Sequence, residues 1–197
     1  MRLFDISVSS SYDWGLTVGE EARKTWKQKL LSGFWDKYCS GKGLDIGYAG
    51  YIPDVTPILP SALGIDLNTP GYNGRTLPFT DNSQDYVYSS HFLEHVADYK
   101  NMIQEMFRVT KKGGNIIIVI PHKYLYERKE TLPSKWNEDH KRFYTPASLL
   151  KEIEESLTPN TYRVRHMCDN DKDHIYGVPV EIHASGCYEL EIVLEKL

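Results

Sequence analysis

The apolar positions change their period along the chain, and the changes divide it into alternating elements. From Gly19 to Tyr38, Trp26, Leu30, Leu31, Phe34, Trp35 and Tyr38 recur at spacings of three and four. That spacing predicts an amphipathic helix with its apolar stripe turned inward. Ser40-Gly41-Lys42-Gly43 ends it, because glycine readily adopts the conformation that closes a helix. A short strand, Leu44-Asp45-Ile46, then runs into a glycine turn. Tyr51 to Pro60 has prolines at 53, 57 and 60, which leaves room for at most one or two helical turns. Ala62 to Leu67 reads as a second strand with an acid near its end. Asn68 to Thr76, with Pro70, Gly71 and Gly74, reads as a loop.

The pattern continues with a third strand at Asp85 to Ser90 and a helix at Asp98 to Val109. Ile103, Met106, Phe107 and Val109 supply the apolar side of that helix. Lys111-Lys112-Gly113-Gly114 predicts a turn. Asn115 to Ile120 holds four Ile and one Val, as a strand buried on both faces requires. Pro146 to Ser156 predicts a helix with Thr145 as its N-cap. Tyr162 to Met167 and Cys187 to Leu194 alternate and have no helical pattern between them, which predicts a final antiparallel pair. The sum is an α/β fold, a mostly parallel sheet with helices on both faces and an antiparallel C-terminal edge. We expect one domain, residues 1–197, with residues 1–18 as an N-terminal arm and residues 121–145, polar and aromatic, as a lid on the acceptor side.

Composition narrows the function classes. Hydrophobic residues make up 41% and charged residues 25%, values that suit a folded globular chain. The formal net charge of −4 argues against binding driven by phosphate contacts, so no nucleic-acid partner is expected. No apolar run approaches the roughly 18 residues of a membrane span, and the N-terminus lacks the pattern of a secretory signal. Cys39, Cys168 and Cys187 are odd in number and widely spaced, which predicts reduced thiols in a cytoplasmic protein.

The candidate chemistry begins at Asp45-Ile46-Gly47-Tyr48-Ala49-Gly50, where a buried strand opens into a glycine turn. Glycine there lets a ligand approach the backbone closely. Asp66 follows at the end of the second strand, where a carboxylate can accept hydrogen bonds from ribose hydroxyls. These residues alone also fit a plain βαβ turn with a capping acid.

Gly43-Leu44-Asp45-Ile46-Gly47-Tyr48-Ala49-Gly50 resembles the first motif of class I methyltransferases. Leu77-Pro78-Phe79-Thr80-Asp81-Asn82-Ser83-Gln84-Asp85 is similar to their LPF-x-D-x-S-x-D stretch, and Leu93-Glu94-His95-Val96 to the LEHV that follows. Phe107 to Gly114 resembles their R-V-L-K-P-G-G turn, and Asp139 to Pro146 their H-x-R-x-F-T-P segment. The pieces run in the family's order over roughly residues 20–157, and the likeness is nearest to bacterial methyltransferases of type 11.

The resemblance implies a Rossmann-like class I methyltransferase fold and S-adenosyl-L-methionine as methyl donor. It places Asp45, Gly47 and Gly50 against the methionine part of the cofactor, Asp66 on the ribose, and Ser89, Ser90 and His91 beneath the sulfonium. Tyr48, Leu67 and Leu77 complete the candidate cofactor set. The chain also departs from the family. In place of D-x-G-x-G-x-G it has Ala49 and Tyr51, with Gly50 out of step. The stretch from Asp66 to Leu77 is too short for the usual helix and third strand, so that sheet edge is expected to be reduced. The acid that often precedes LPF is missing, with Asn73 nearest.

The expected reaction is methyl transfer to a hydroxyl or amine of a small molecule, with a nucleotide-linked sugar or glycan precursor as one candidate acceptor. His122, directly after the fifth expected strand of the family pattern, and His140, in the lid, are the candidate bases, since imidazole titrates near neutral pH. Lys123, Arg128, Lys129, Lys135, Lys141 and Arg142 could hold an anionic acceptor, but acids among them fit a solvated mixed-charge face equally. Two rival readings remain. His91-Phe92-Leu93-Glu94-His95 fits H-x-x-E-H, a zinc-hydrolase helix, although no third ligand is evident. The altered glycine turn would also fit a catalytically silent cofactor-binding protein.

Overall fold

The computed structural model describes residues 13–197, so residues 1–12 of the expected N-terminal arm lie outside the described residues. The strands are β1 (Gly43–Ile46), β2 (Ala62–Ile65), β3 (Gln84–Ser90), β4 (Thr110–Pro121), β5 (Tyr162–Asn170) and β6 (Glu189–Lys196). They form one sheet in the order β2-β1-β3-β4-β6-β5. The four strands from β2 to β4 are parallel, and β6 is antiparallel to both of its neighbours. Among the described residues no strand stands between β2 and β3 in sequence, so the expected reduction of that edge is present. The two final strands pair antiparallel as expected, but β6 inserts between β4 and β5 and leaves β5 at the edge.

The helices are α1 (Glu20–Leu31), α2 (Phe34–Tyr38), α3 (Tyr99–Val109) and α4 (Pro146–Ser156). Successive side chains of β4 point to opposite faces, and both faces are covered. Ile116, Ile118 and Ile120 pack with Met102, Ile103 and Met106 of α3 and Leu149 and Ile153 of α4. Ile117 and Val119 pack with Trp26 of α1, Trp35 of α2 and Tyr88. That two-sided burial is why the strand is a continuous branched aliphatic run. Thr145 caps α4, accepting the Ser148 N–H at 3.2 Å, with Pro146 at the first helical position.

Two expectations are corrected, and a third is met at its lower limit. The helix read from Gly19 to Tyr38 breaks at Gly33, whose φ of 73° is left-handed, and Leu31 is left 68% exposed outside the break. Residues 111–114 are not a free turn but part of β4, whose irregular start includes Gly113 at φ 76°. Residues 51–60 form turns without a helix, as the three prolines demand.

Candidate active site

Because β1, β2 and β3 run parallel, the loops at their carboxyl ends leave the sheet on one side, where open α/β sheets bind ligands. Those loops and the start of α1 enclose a cavity of about 730 Å³, large enough for a nucleoside-sized ligand. Asp45, Gly47, Tyr48, Asp66, Leu67, Ser90 and His91 of the expected cofactor set all line it.

The turn after β1 resolves the missing family glycine. Gly47 and Ala49 both take left-handed conformations, with φ of 77° and 64°. Ala49 therefore keeps the backbone path expected of a glycine and bears a strain of about 1 kcal/mol. Gly50 serves a different purpose. A Cβ there would fall on the Tyr48 ring, as would one at Gly64, so Tyr48 lies across two glycines. At Gly47 a side chain would strike Phe92.

Asp45 is 5% exposed, and its Oδ2 accepts the Ile58 N–H at 2.6 Å. Burial pushes its carboxyl up to about 7, against the opposing pull of that hydrogen bond. Asp66 is half-buried at the end of β2. Its Oδ1 accepts the Leu67 N–H at 2.8 Å, and no described residue engages Oδ2. Tyr72 lines the cavity beside it, its hydroxyl pushed up to about 12 by burial and by the Asp66 charge. His91 closes the far side in a left-handed conformation, φ 51°. Its Nε2 lies 3.2 Å from Glu189 Oε1. Burial alone would lower the His91 pKa, but the Glu189 hydrogen bond and the charges of Glu94, Glu189 and Glu21 raise it.

The other expected residues lie outside the cavity lining. Gly50 sits beneath the Tyr48 ring, and Ser89 is buried behind Ser90. Leu77 is a core residue at 1% exposure, and its N–H donates to Glu105. Neither expected base reaches the cavity. His122 Nδ1 accepts the Tyr124 N–H at 3.1 Å and so caps the π-helical turn Lys123–Glu127. Burial lowers the His122 pKa, opposed by Asp169. His140 stands one layer back, with Nδ1 2.8 Å from Glu127 and its ring 4.9 Å from that of His95.

The cavity also takes in residues that the sequence reading assigned neither to the cofactor nor to proton transfer. Glu21, Tyr72, Phe92, His95 and Asp139 all line the cavity. His95 and Asp139 were visible as parts of motifs. Glu21 gave no local signal, because only the packing of α1 over the sheet brings it there.

None of the cations of the expected lid lines the cavity, and each is engaged by another group. Lys123 pairs with Glu130, and Lys141 with Asp139. Arg128, Lys129 and Lys135 donate to backbone carbonyls. Arg142 donates to the carbonyls of Leu93, Val96 and Ala97. The H-x-x-E-H helix is also absent. His91 precedes a single 3₁₀ turn, Leu93–His95, and the two imidazoles go to different partners, His91 to Glu189 and His95 to Asp139.

The sheet order, the glycine turn after β1 and the acid ending β2 define a class I methyltransferase fold. Solved structures agree. A methyltransferase from Aquifex aeolicus superposes with TM-score 0.56 at 16% identity, over 98% of this chain and 100% of that one. A possible histamine N-methyltransferase from Thermotoga maritima superposes with TM-score 0.54 at 16% identity, over 96% of both chains. Residues 66–118 match the family described as "Methyltransferase domain". A demethylmenaquinone methyltransferase of Anoxybacillus flavithermus is 44% identical over 45 residues, 23% of this chain and 19% of that protein. The chain thus spans about a fifth of the curated relatives' length in the matched region. Its fold is that of the class I S-adenosylmethionine-dependent methyltransferases, and the family match within it covers residues 66–118. No helix among the described residues is long and apolar enough to cross a membrane.

Proposed function

We propose that this chain transfers a methyl group from S-adenosylmethionine to a hydroxyl or amine of a small molecule that carries no phosphate. The reading is carried by one observation: a single cavity unites Asp45, Gly47, Asp66, Ser90 and His91. The residues present fit the cofactor. Asp66 has an unengaged carboxylate oxygen for the ribose hydroxyls, and Tyr72 offers a ring beside it. The Gly47 turn leaves its backbone open to the methionine part, whose cationic amine suits Asp45. When bound, the cofactor supplies a methyl group activated on a sulfonium.

The chain's part is then to align an acceptor and take up its proton. His91, His95, Glu21 and Asp139 make the polar wall for that task. His122 and His140, behind the wall, suit supporting roles. Charge selects the acceptor class. The lining holds Glu20, Glu21, Asp45, Asp66, Asp98 and Asp139 against one arginine, Arg75, which pairs with Asp98 at 2.9 Å. With the six expected lid cations already engaged, Lys141 by the lining residue Asp139 itself, a phosphorylated sugar finds no unpaired complementary charge and would be repelled. An uncharged ring compound, such as the quinone named for the curated relatives, does not meet that obstacle. Three free cysteines suit the reducing cytoplasm as the working compartment.

The test supplies S-adenosylmethionine labelled in its methyl group, together with cell extract separated by anion exchange. Label should appear in fractions that do not bind the resin. Label confined to phosphate-bearing fractions would sink the acceptor class, and no label in any fraction would sink the activity.

A further inference from the structure

Glu94 is the least explained residue of the fold. It is 1% exposed, and neither carboxylate oxygen has a hydrogen-bond partner. A buried unpaired carboxylate costs several kcal/mol unless a positive charge offsets it. Two imidazole nitrogens, His91 Nδ1 and His95 Nε2, each stand 3.8 Å from Oε1, beyond hydrogen-bonding distance.

We propose that Glu94, His95 and His140 form a site for a zinc-like divalent cation on the wall of the cavity. Each residue can offer one ligand atom, and the three atoms lie within 4.8 Å of one another. Both imidazoles are oriented for it. His95 Nδ1 lies 3.2 Å from Asp139 Oδ2, and His140 Nδ1 lies 2.8 Å from Glu127 Oε1. Each Nε2 is left for the ion, with a carboxylate holding the opposite nitrogen, the arrangement that fixes the tautomer of a metal-bound histidine. Glu127 is itself fixed by the Ser134 hydroxyl at 2.8 Å. Tetrahedral ligands about 2.1 Å from zinc stand roughly 3.4 Å apart. The Glu94 and His95 atoms therefore close by only about 0.4 Å on binding.

Two imidazoles and a carboxylate suit Zn²⁺ or Co²⁺ better than Mg²⁺. Three protein ligands leave a fourth position open, as in catalytic rather than structural zinc sites. Because His95 also lines the cavity, the open position adjoins it. It would take an oxygen of the acceptor, which favours a hydroxyl-bearing molecule over an amine. Two other clusters have ligand-like atoms at similar spacing, but their carboxylates are already partnered. Glu189 is held by His91 and Asn170, and Glu191 by Lys29 and His166.

The experiment strips the full chain with a chelator and titrates it with Zn²⁺ and Co²⁺, reading retained metal, the Co²⁺ visible spectrum and melting temperature. One ion per chain is expected. Its affinity should fall by about 100-fold or more in His95→Ala and His140→Ala, since changes to supporting residues alone cost 10- to 100-fold. His166→Gln, in another cluster, should bind as the parent does. Glu94→Gln guards against a mere folding defect. Without metal it should melt at or above the parent, because it removes an unpaired buried charge, yet it should lose the Zn²⁺-induced rise. No retained ion, or retention that Glu94→Gln and His140→Ala leave unchanged, overturns the site. S-adenosylhomocysteine is titrated into the stripped protein in parallel. A chain that binds it but no metal loses this inference alone and keeps the proposed function.

Discussion

Replacing Asp45 by Asn removes an ionisable group from the cavity floor yet keeps an oxygen to accept the Ile58 N–H. The folded protein holds the Asp45 carboxyl near 7, against an ordinary value of 3.8, because burial penalises the charge. Between those values the folded state keeps a proton that the unfolded state has released. Stability therefore falls as pH rises through this window and levels off above about 7. For a shift of this size the loss between pH 5 and pH 8 is roughly 2 to 3 kcal/mol. Asp45→Asn carries no such term, so its stability relative to wild type should improve by that amount over the same interval. Urea unfolding of both proteins at the two pH values measures the difference, and groups common to both cancel. Equal pH dependence in the two proteins would refute the buried-acid account. The same linkage predicts that a cofactor with a cationic amine beside Asp45 binds more tightly as pH rises through 7, and that Asp45→Asn abolishes this trend.

Ala49→Gly should stabilise the apo protein by about 0.5–1 kcal/mol in thermal unfolding, since it relieves a left-handed alanine. Gly50→Ala should weaken S-adenosylhomocysteine binding in calorimetry by displacing the Tyr48 ring. An unchanged affinity would mean that the ring's position is unimportant. His122→Gln should cost about 1 kcal/mol of stability through the lost turn cap and leave cofactor affinity unchanged. A large affinity loss would return His122 to the site.

The fold was legible because its central elements obey simple periods. The run at 115–120 could only be a strand buried on two faces, and Thr145-Pro146 could only open a helix. What stayed hidden depended on contacts between distant segments. Gly33 breaks a helix whose apolar spacing runs on past it, because Phe34, Trp35 and Tyr38 must turn under the sheet. The insertion of β6 beside β4 is a choice among edges that alternation alone does not make.

The site divides in the same way. Asp45, Gly47 and Asp66 were readable because strand ends put them together by local geometry. His122 and His140 do not line the cavity. A histidine next to a strand end can point forward or cap its own loop, and His122 does the latter. The altered glycine turn shows how pattern and geometry differ. Its backbone conformations survive at Gly47 and Ala49, although one glycine has been replaced.

We propose that the ribose of S-adenosylmethionine sits on Asp66. Isothermal titration of S-adenosylhomocysteine into the wild-type chain and Asp66→Ala tests it most directly. A loss of a charge-assisted pair should weaken binding by about 1.5–3 kcal/mol, roughly 10- to 100-fold. Binding to wild type that Asp66→Ala leaves unchanged, or no binding to wild type, would contradict the account.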